Sequence, residues 1–141
     1  DGANIAMKFA MKYPSKVKAL ILNGGNPNPK GVKRVIQIPI EIGYQIARQF
    51  ASKSPDAKKN AEILGLMVHE PDIGLDELSK ITAPTLVICG RNDMIKTSHT
   101  EKIAEHIPNA KLVIIKGNHF IANKRYITFN KEVEGFLQTI Q

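Results

Sequence analysis

Tryptophan is absent from this 141-residue sequence, cysteine occurs once, and aromatic residues make up only 6%. Each scarcity excludes something. With Cys89 as the sole cysteine, no intrachain disulfide can form, and such cysteine usage fits a reducing, cytoplasmic compartment. The four histidines, His69, His99, His106 and His119, are scattered. They show none of the spacings by which metal ligands are grouped, and neither a metal nor a cofactor is expected. Few aromatics leave little material for a base-stacking surface. Long apolar runs are missing as well. The longest are of strand length, far short of the ~20 residues of a membrane-spanning helix, so no membrane span is expected. Residues 1–20 carry lysines throughout and no unbroken apolar segment of the kind a secretory leader requires.

What is present points to one small domain. A hydrophobic content of 43% supplies a core and argues against global disorder. The formal charge is +7 with a pI near 9.6. The lysines and arginines are dispersed, however, and no run of them exceeds two residues. That pattern reads as a solvated basic surface, without a nucleic-acid partner.

The organising stretch is Pro84-Thr85-Leu86-Val87-Ile88-Cys89-Gly90-Arg91-Asn92-Asp93. Its apolar and β-branched residues do not alternate with polar ones, as expected of a strand buried on both faces in a parallel sheet. Pro84 stands at the strand entrance, where no ladder donor is needed. Gly90 closes the strand, and Asp93 follows three residues later. Lys111-Leu112-Val113-Ile114-Ile115 repeats the arrangement, with Lys116-Gly117-Asn118-His119 behind it. In open α/β sheets, chemistry gathers outside the carboxyl ends of the strands, so an acid and an imidazole are presented at one edge.

Around these strands the sequence alternates helix and strand. A helix from the first residues to Tyr13 places Ile5, Phe9 and Ala10 on one face, and a strand follows at 17–22. Helical spacing over 32–52 contains Pro39, which should kink the segment or split it in two. Ser54-Pro55-Asp56 caps a helix over 57–68, a short turn covers 75–79, Ser98 caps a helix over 99–107, and a last helix spans 128–140. In that last helix Phe129, Val133, Phe136, Leu137 and Ile140 are expected to be buried. The alternation is that of a parallel sheet with helical crossovers. It forms one domain over 1–141, in which 24–80 is a helical, cap-like insertion.

At this point the residues carry a family resemblance. The chain resembles the C-terminal half of an α/β-hydrolase, with an α/β fold of three parallel strands, flanking helices and a small helical insertion. Asp1-Gly2-Ala3 is similar to the tail of that family's nucleophile elbow, G-x-S-x-G. The resemblance puts the nucleophile immediately before Asp1. It makes the backbone N–H of Asp1 half of an oxyanion hole and Gly2 the closing elbow glycine. Asp93, in Gly90-Arg91-Asn92-Asp93, matches the family's acid; His119, in Gly117-Asn118-His119, matches its base, and the acid precedes the base as it should. Leu78 to Leu86 is similar to the usual lead-in to the acid strand. The implied activity is a serine hydrolase acting on a small-molecule acyl substrate, an ester or related bond. The chemistry is consistent with the residue types. A serine hydroxyl needs an adjacent base, an imidazole titrates near neutrality, and a carboxylate fixes its tautomer and stabilises its charged form.

Further expectations follow from the resemblance. A chain without the nucleophile should not turn over a p-nitrophenyl ester at enzymatic rates by itself. A strand at 17–22 without its neighbour has a bare apolar edge, which invites association. A homodimer or larger assembly is therefore expected, and a clean monomer by light scattering at roughly tens of micromolar would contradict it. Two rival readings stand beside the serine hydrolase: a non-catalytic binding or interaction module on the same scaffold, and a parent whose nucleophile is Asp or Cys. Within the sequence, His99 is a rival base to His119, Asp93 could instead cap the following helix or pair with Lys96, and Met94 and Ile95 could line a pocket.

Overall fold

The computed structural model describes residues 2–140. Helix α1 (Gly2–Lys12) leads through a short 3₁₀ turn at Pro14–Lys16 to strand β1 (Leu20–Asn23). A second 3₁₀ turn, Pro29–Gly31, precedes α2 (Arg34–Phe50) and α3 (Pro55–His69), which pack on each other. A third, Leu75–Lys80, enters β2 (Thr85–Gly90); α4 (Thr97–His106), β3 (Ala110–Ile115), α5 (Ile121–Lys124) and α6 (Tyr126–Gln138) complete the chain. The three strands form one parallel sheet in the order β1-β2-β3.

The middle strand is buried at every position, which is why its sequence is apolar without alternation. Its side chains still divide between two faces. Val87, in register with Leu22 and Leu112, joins a core with Met7, Ala10, Leu78, Ile81 and Ile103. Leu86 and Ile88 point the other way, toward Ile115, Ile121 and Phe136. The sheet is thus covered by α1 and α4 on one side and by α5 and α6 on the other. At roughly 1.5–3 kcal/mol for each large side chain fully removed from water, these two layers supply the main favourable term for the fold.

Several expected bounds and faces are corrected. β1 starts at Leu20 rather than at residue 17, because its ladder can begin only where β2 begins: Leu20 pairs with Thr85. Val17 packs against the core from outside the ladder. In α1 the inward residues are Met7 and Ala10, whereas Ile5 and Phe9 are exposed by 67% and 46%. Pro39 does not split α2, which runs unbroken through it. Pro39 is the sixth residue of that helix, so its missing N–H removes a single early hydrogen bond. The last helix is Tyr126–Gln138 rather than 128–140, a short α5 precedes it, and Leu137 is exposed while its neighbour Phe136 faces the core.

The helix caps separate two serines of similar promise. Ser54 Oγ accepts the Ala57 N–H at 3.0 Å and caps α3 as expected. Ser98 lies inside α4, which starts at Thr97 with Lys96 in the N-cap position and no side-chain cap. Ser54→Ala should therefore lower stability by about 1 kcal/mol. Ser98→Ala should leave it within about 0.5 kcal/mol. Urea melts of the two variants check the contrast.

Candidate active site

Parallel register aligns the carboxyl ends of all three strands: Asn23 stands opposite Ile88, and Gly90 opposite Ile115. The three loops that leave these ends converge. In the acid loop, Asp93 N–H donates to Gly90 O at 3.0 Å and Asn92 N–H to Gly117 O at 2.8 Å, which ties the acid loop to the histidine loop. Asp93 is 2% exposed. Its Oδ1 accepts the Ile95 N–H at 3.1 Å and lies 2.8 Å from His119 Nδ1. Among the described residues Asp93 Oδ2 has no partner. The contact fixes the imidazole: a carboxylate acceptor selects the tautomer with hydrogen on Nδ1 and leaves Nε2 free to take a proton. The His119 side chain remains 31% exposed, and its ring meets Phe120 edge-on at 5.8 Å.

Two glycines set this geometry by close approach. Gly24, at φ +60°, presses on the His119 ring, and a Cβ there would lie 2.6 Å from Cε1 and 2.8 Å from Nδ1. Gly90 lies under the histidine loop, where a Cβ would meet Asn118 O and Gly117 O. In the sequence Gly24 is legible only as part of a loop by composition. Its contact with a residue 95 positions later has no local signal.

The segment after β1 roofs the acid loop. Val32 forms an antiparallel bridge with Ile95, and Lys33 N–H donates to Met94 O at 2.9 Å. Beneath this roof, beside His119, opens a cleft of about 330 Å³ lined mainly by apolar side chains, among them Val32, Ile36, Ile40, Met67, Met94 and Ile95. Met94 and Ile95 thus do line a pocket. Among the described residues no serine, threonine or cysteine lines it. Cys89 is buried in β2, where burial, above all, pushes its thiol up, as befits a small core residue rather than a nucleophile. Among the described residues no cluster of three or more His, Cys, Asp or Glu side chains is placed to hold a metal ion, and no helix is long and apolar enough to cross a membrane. Of the elbow residues, Gly2 opens α1, and Asp1 lies outside the described residues.

The rival roles fall elsewhere. Lys96 Nζ donates to Lys30 O at 2.8 Å rather than pairing with Asp93. Asp93 caps its own loop at Ile95, two residues short of α4. His99 packs against Gly31, and its Nε2 is buried without a partner among the described residues. Its titration is lowered, first by burial and then by Lys96 and Lys102. The sign for stability follows. In the native state His99 binds its proton less readily than in the unfolded chain, where an imidazole titrates near 6.5. Stability is therefore complete above that value and falls as pH drops through the window between it and the lowered native value. His99→Gln should flatten the decline between pH 7.5 and 5.5 in denaturant melts; an unchanged slope would refute the assignment.

Comparison with known proteins decides the family. The serine hydrolase (FSH1) family description matches residues 41–130, a span that holds both Asp93 and His119. The chain belongs to the serine hydrolase (FSH1) family. It is also 26% identical to serine hydrolase BPHL of Mus musculus over 98% of this chain and 52% of that protein, so it spans about half the length of that relative. Among solved structures, a thermophilic esterase is 26% identical with a TM-score of 0.64, over 98% of this chain and 63% of that one. MGS-M2, an α/β-hydrolase enzyme from a Medee basin deep-sea metagenome library, has a TM-score of 0.70 at 22% identity, over 97% of this chain and 62% of that one. These likenesses establish the fold of this serine hydrolase family member as part of an α/β-hydrolase fold, with three parallel strands and flanking helices.

Proposed function

We propose that residues 1–141 supply the acid and base of a serine-type hydrolase that cleaves ester or related acyl bonds in small molecules. The observation that carries this reading is the 2.8 Å contact between His119 Nδ1 and the buried Asp93 carboxylate, placed at the carboxyl end of the sheet beside an apolar cleft. With Nδ1 held, Nε2 accepts the hydroxyl proton of a nucleophile as it attacks the acyl carbonyl, then returns it to the leaving alkoxide. Water repeats the cycle to release the acid. Asp93 stabilises the imidazolium between the two transfers. The nucleophile comes from outside these residues, in the position before Asp1, with the Asp1 N–H as an oxyanion donor and Gly2 as the elbow glycine.

The test is hydrolysis of a series of p-nitrophenyl acyl esters by the protein with its nucleophile-bearing segment in place, beside the His119→Ala variant. The reading expects turnover that is lost in the variant by at least about a thousandfold. Turnover unaffected by His119→Ala would end it. Absence of turnover in the protein with that segment in place would leave the scaffold as a binding module.

A further inference from the structure

The cleft contains a polar group without a role. Gln37 is 4% exposed, the one buried residue of α2, while Val35, Ile36 and Ile38 beside it are exposed. It lines the cleft that holds His119. Its Oε1 is buried and has no hydrogen-bond partner among the described residues. Burying a polar atom unpaired costs about 1–3 kcal/mol, and α2 has apolar residues on either side of Gln37 that would fill the position without that cost. The helix has instead turned this amide inward, with Val35 and Ile38 outward.

Gln37 meets a ligand in the cleft once its side chain turns, since Oε1 as it stands is buried. It stands on the first turns of α2, just after the Val32–Ile95 bridge that seats this segment on the acid loop. The other unpaired amide oxygen in the cleft wall, Asn26 Oδ1, faces the spot occupied by Gly31 and the His99 ring, so it belongs to packing. The remaining neighbours of Gln37 in the cleft are largely aliphatic or thioether side chains. At roughly 30 Å³ for each water-sized group, a cleft of about 330 Å³ holds a short chain of up to about ten heavy atoms.

We propose that Gln37 is a specificity-determining residue, and that the acyl portion of the substrate is a short aliphatic chain bearing a hydroxyl that donates to Gln37 Oε1. The proposal rests on the hydrolase reading for the word acyl, but its recognition step needs no catalysis. A site with a buried acceptor discriminates strongly against a ligand that leaves the acceptor unpaired.

Product acids separate the two claims. Binding of hexanoate, 6-hydroxyhexanoate and the acceptor-only 5-oxohexanoate to the protein is followed by NMR of the Gln37 side-chain amide and the His119 ring. The hydroxy acid should bind about tenfold more tightly than hexanoate. Gln37→Met should bring the two acids to equal affinity. Its melting temperature should be no lower than that of the parent, since an unpaired buried oxygen has been removed. Equal affinities in the parent, preference for the oxo acid, binding of none of the three, or a Gln37→Met protein that melts earlier with its preference unchanged would each overturn the proposal. Preference without ester hydrolysis would sink the hydrolase reading and keep Gln37. Hydrolysis indifferent to the hydroxyl, with no preference among the acids, would do the reverse.

Discussion

With the nucleophile-bearing segment in place, Asp93→Asn should lower kcat by about 10³–10⁴ and barely change KM for a simple ester, the loss the proposed reading expects when the charge behind the base is removed. The structure gives the reason. Asp93 Oδ1 serves two donors, the Ile95 N–H at 3.1 Å and His119 Nδ1 at 2.8 Å. An asparagine can meet this demand in two ways. Its oxygen can stay where Oδ1 is; the tautomer is then kept, but the imidazolium has lost its counter-charge and the new NH₂ occupies the position of Oδ2, which has no partner among the described residues. Alternatively the amide turns over; its NH₂ then faces both Ile95 N–H and Nδ1, and hydrogen is forced onto Nε2, where a base must have none. The first arrangement weakens proton abstraction and the second stops it. The ¹⁵N shifts of the His119 ring report which one forms, without any need for turnover. Rates within tenfold of the parent, with the tautomer unchanged, would show that the pair is structural.

The same pair was legible in the sequence for a physical reason. A strand buried on both faces leaves little choice but continuous apolar residues, so β2 and β3 stand out, and whatever polar residues follow them lie at the sheet's carboxyl edge. The structure brings Asp93 and His119 into contact there. Less legible were features set by partners distant in sequence. Sequence pattern begins β1 three residues early, because Val17 to Ala19 run into Leu20 to Leu22 with no turn residue between, and only the start of β2 sets the boundary. The role of Gly24 against His119 was invisible, since a glycine among Asn, Gly and Pro signals only a turn.

Helix α2 shows a different limit. Apolar residues occupy most of its sides, so periodicity does not say which side is inward. The actual inward position is the polar Gln37, and Val35, Ile42 and Ile46 stay exposed by 74%, 56% and 54%. Pattern reading assumes that apolar residues seek the core. That assumption holds where a sheet waits to be covered, as under Phe136, and fails for a helix pair that roofs a cleft. The failure is informative: a residue that breaks the local rule beside a candidate site is where function is to be sought.

The backbone beneath the site should be equally intolerant. Gly90→Ala should cost about 3 kcal/mol, at the upper end of what overpacking usually costs, and lower the melting temperature by roughly 10 °C for a chain of this size. A Cβ at Gly90 would lie 2.4 Å from Asn118 O, 2.6 Å from Gly117 O and 2.8 Å from Asn118 C. All three are backbone atoms, so no rotamer change relieves the overlap; the histidine loop itself must lift. Lifting it strains Arg91 N–H to Ile115 O at 2.9 Å and Asn92 N–H to Gly117 O at 2.8 Å, and it carries His119 away from Asp93. The stability loss should therefore come with loss of the His119–Asp93 contact, seen in the ring ¹⁵N shifts. Gly135 is the control. It lies within α6 with no atom near enough to meet an added Cβ, so Gly135→Ala should stabilise by up to about 1 kcal/mol through helix propensity and a less flexible unfolded chain. If the two alanines behaved alike, the site would not be held by the contact between Gly90 and the histidine loop. If they differ in sign, the close approach of β2 to that loop is what keeps the imidazole at its acid.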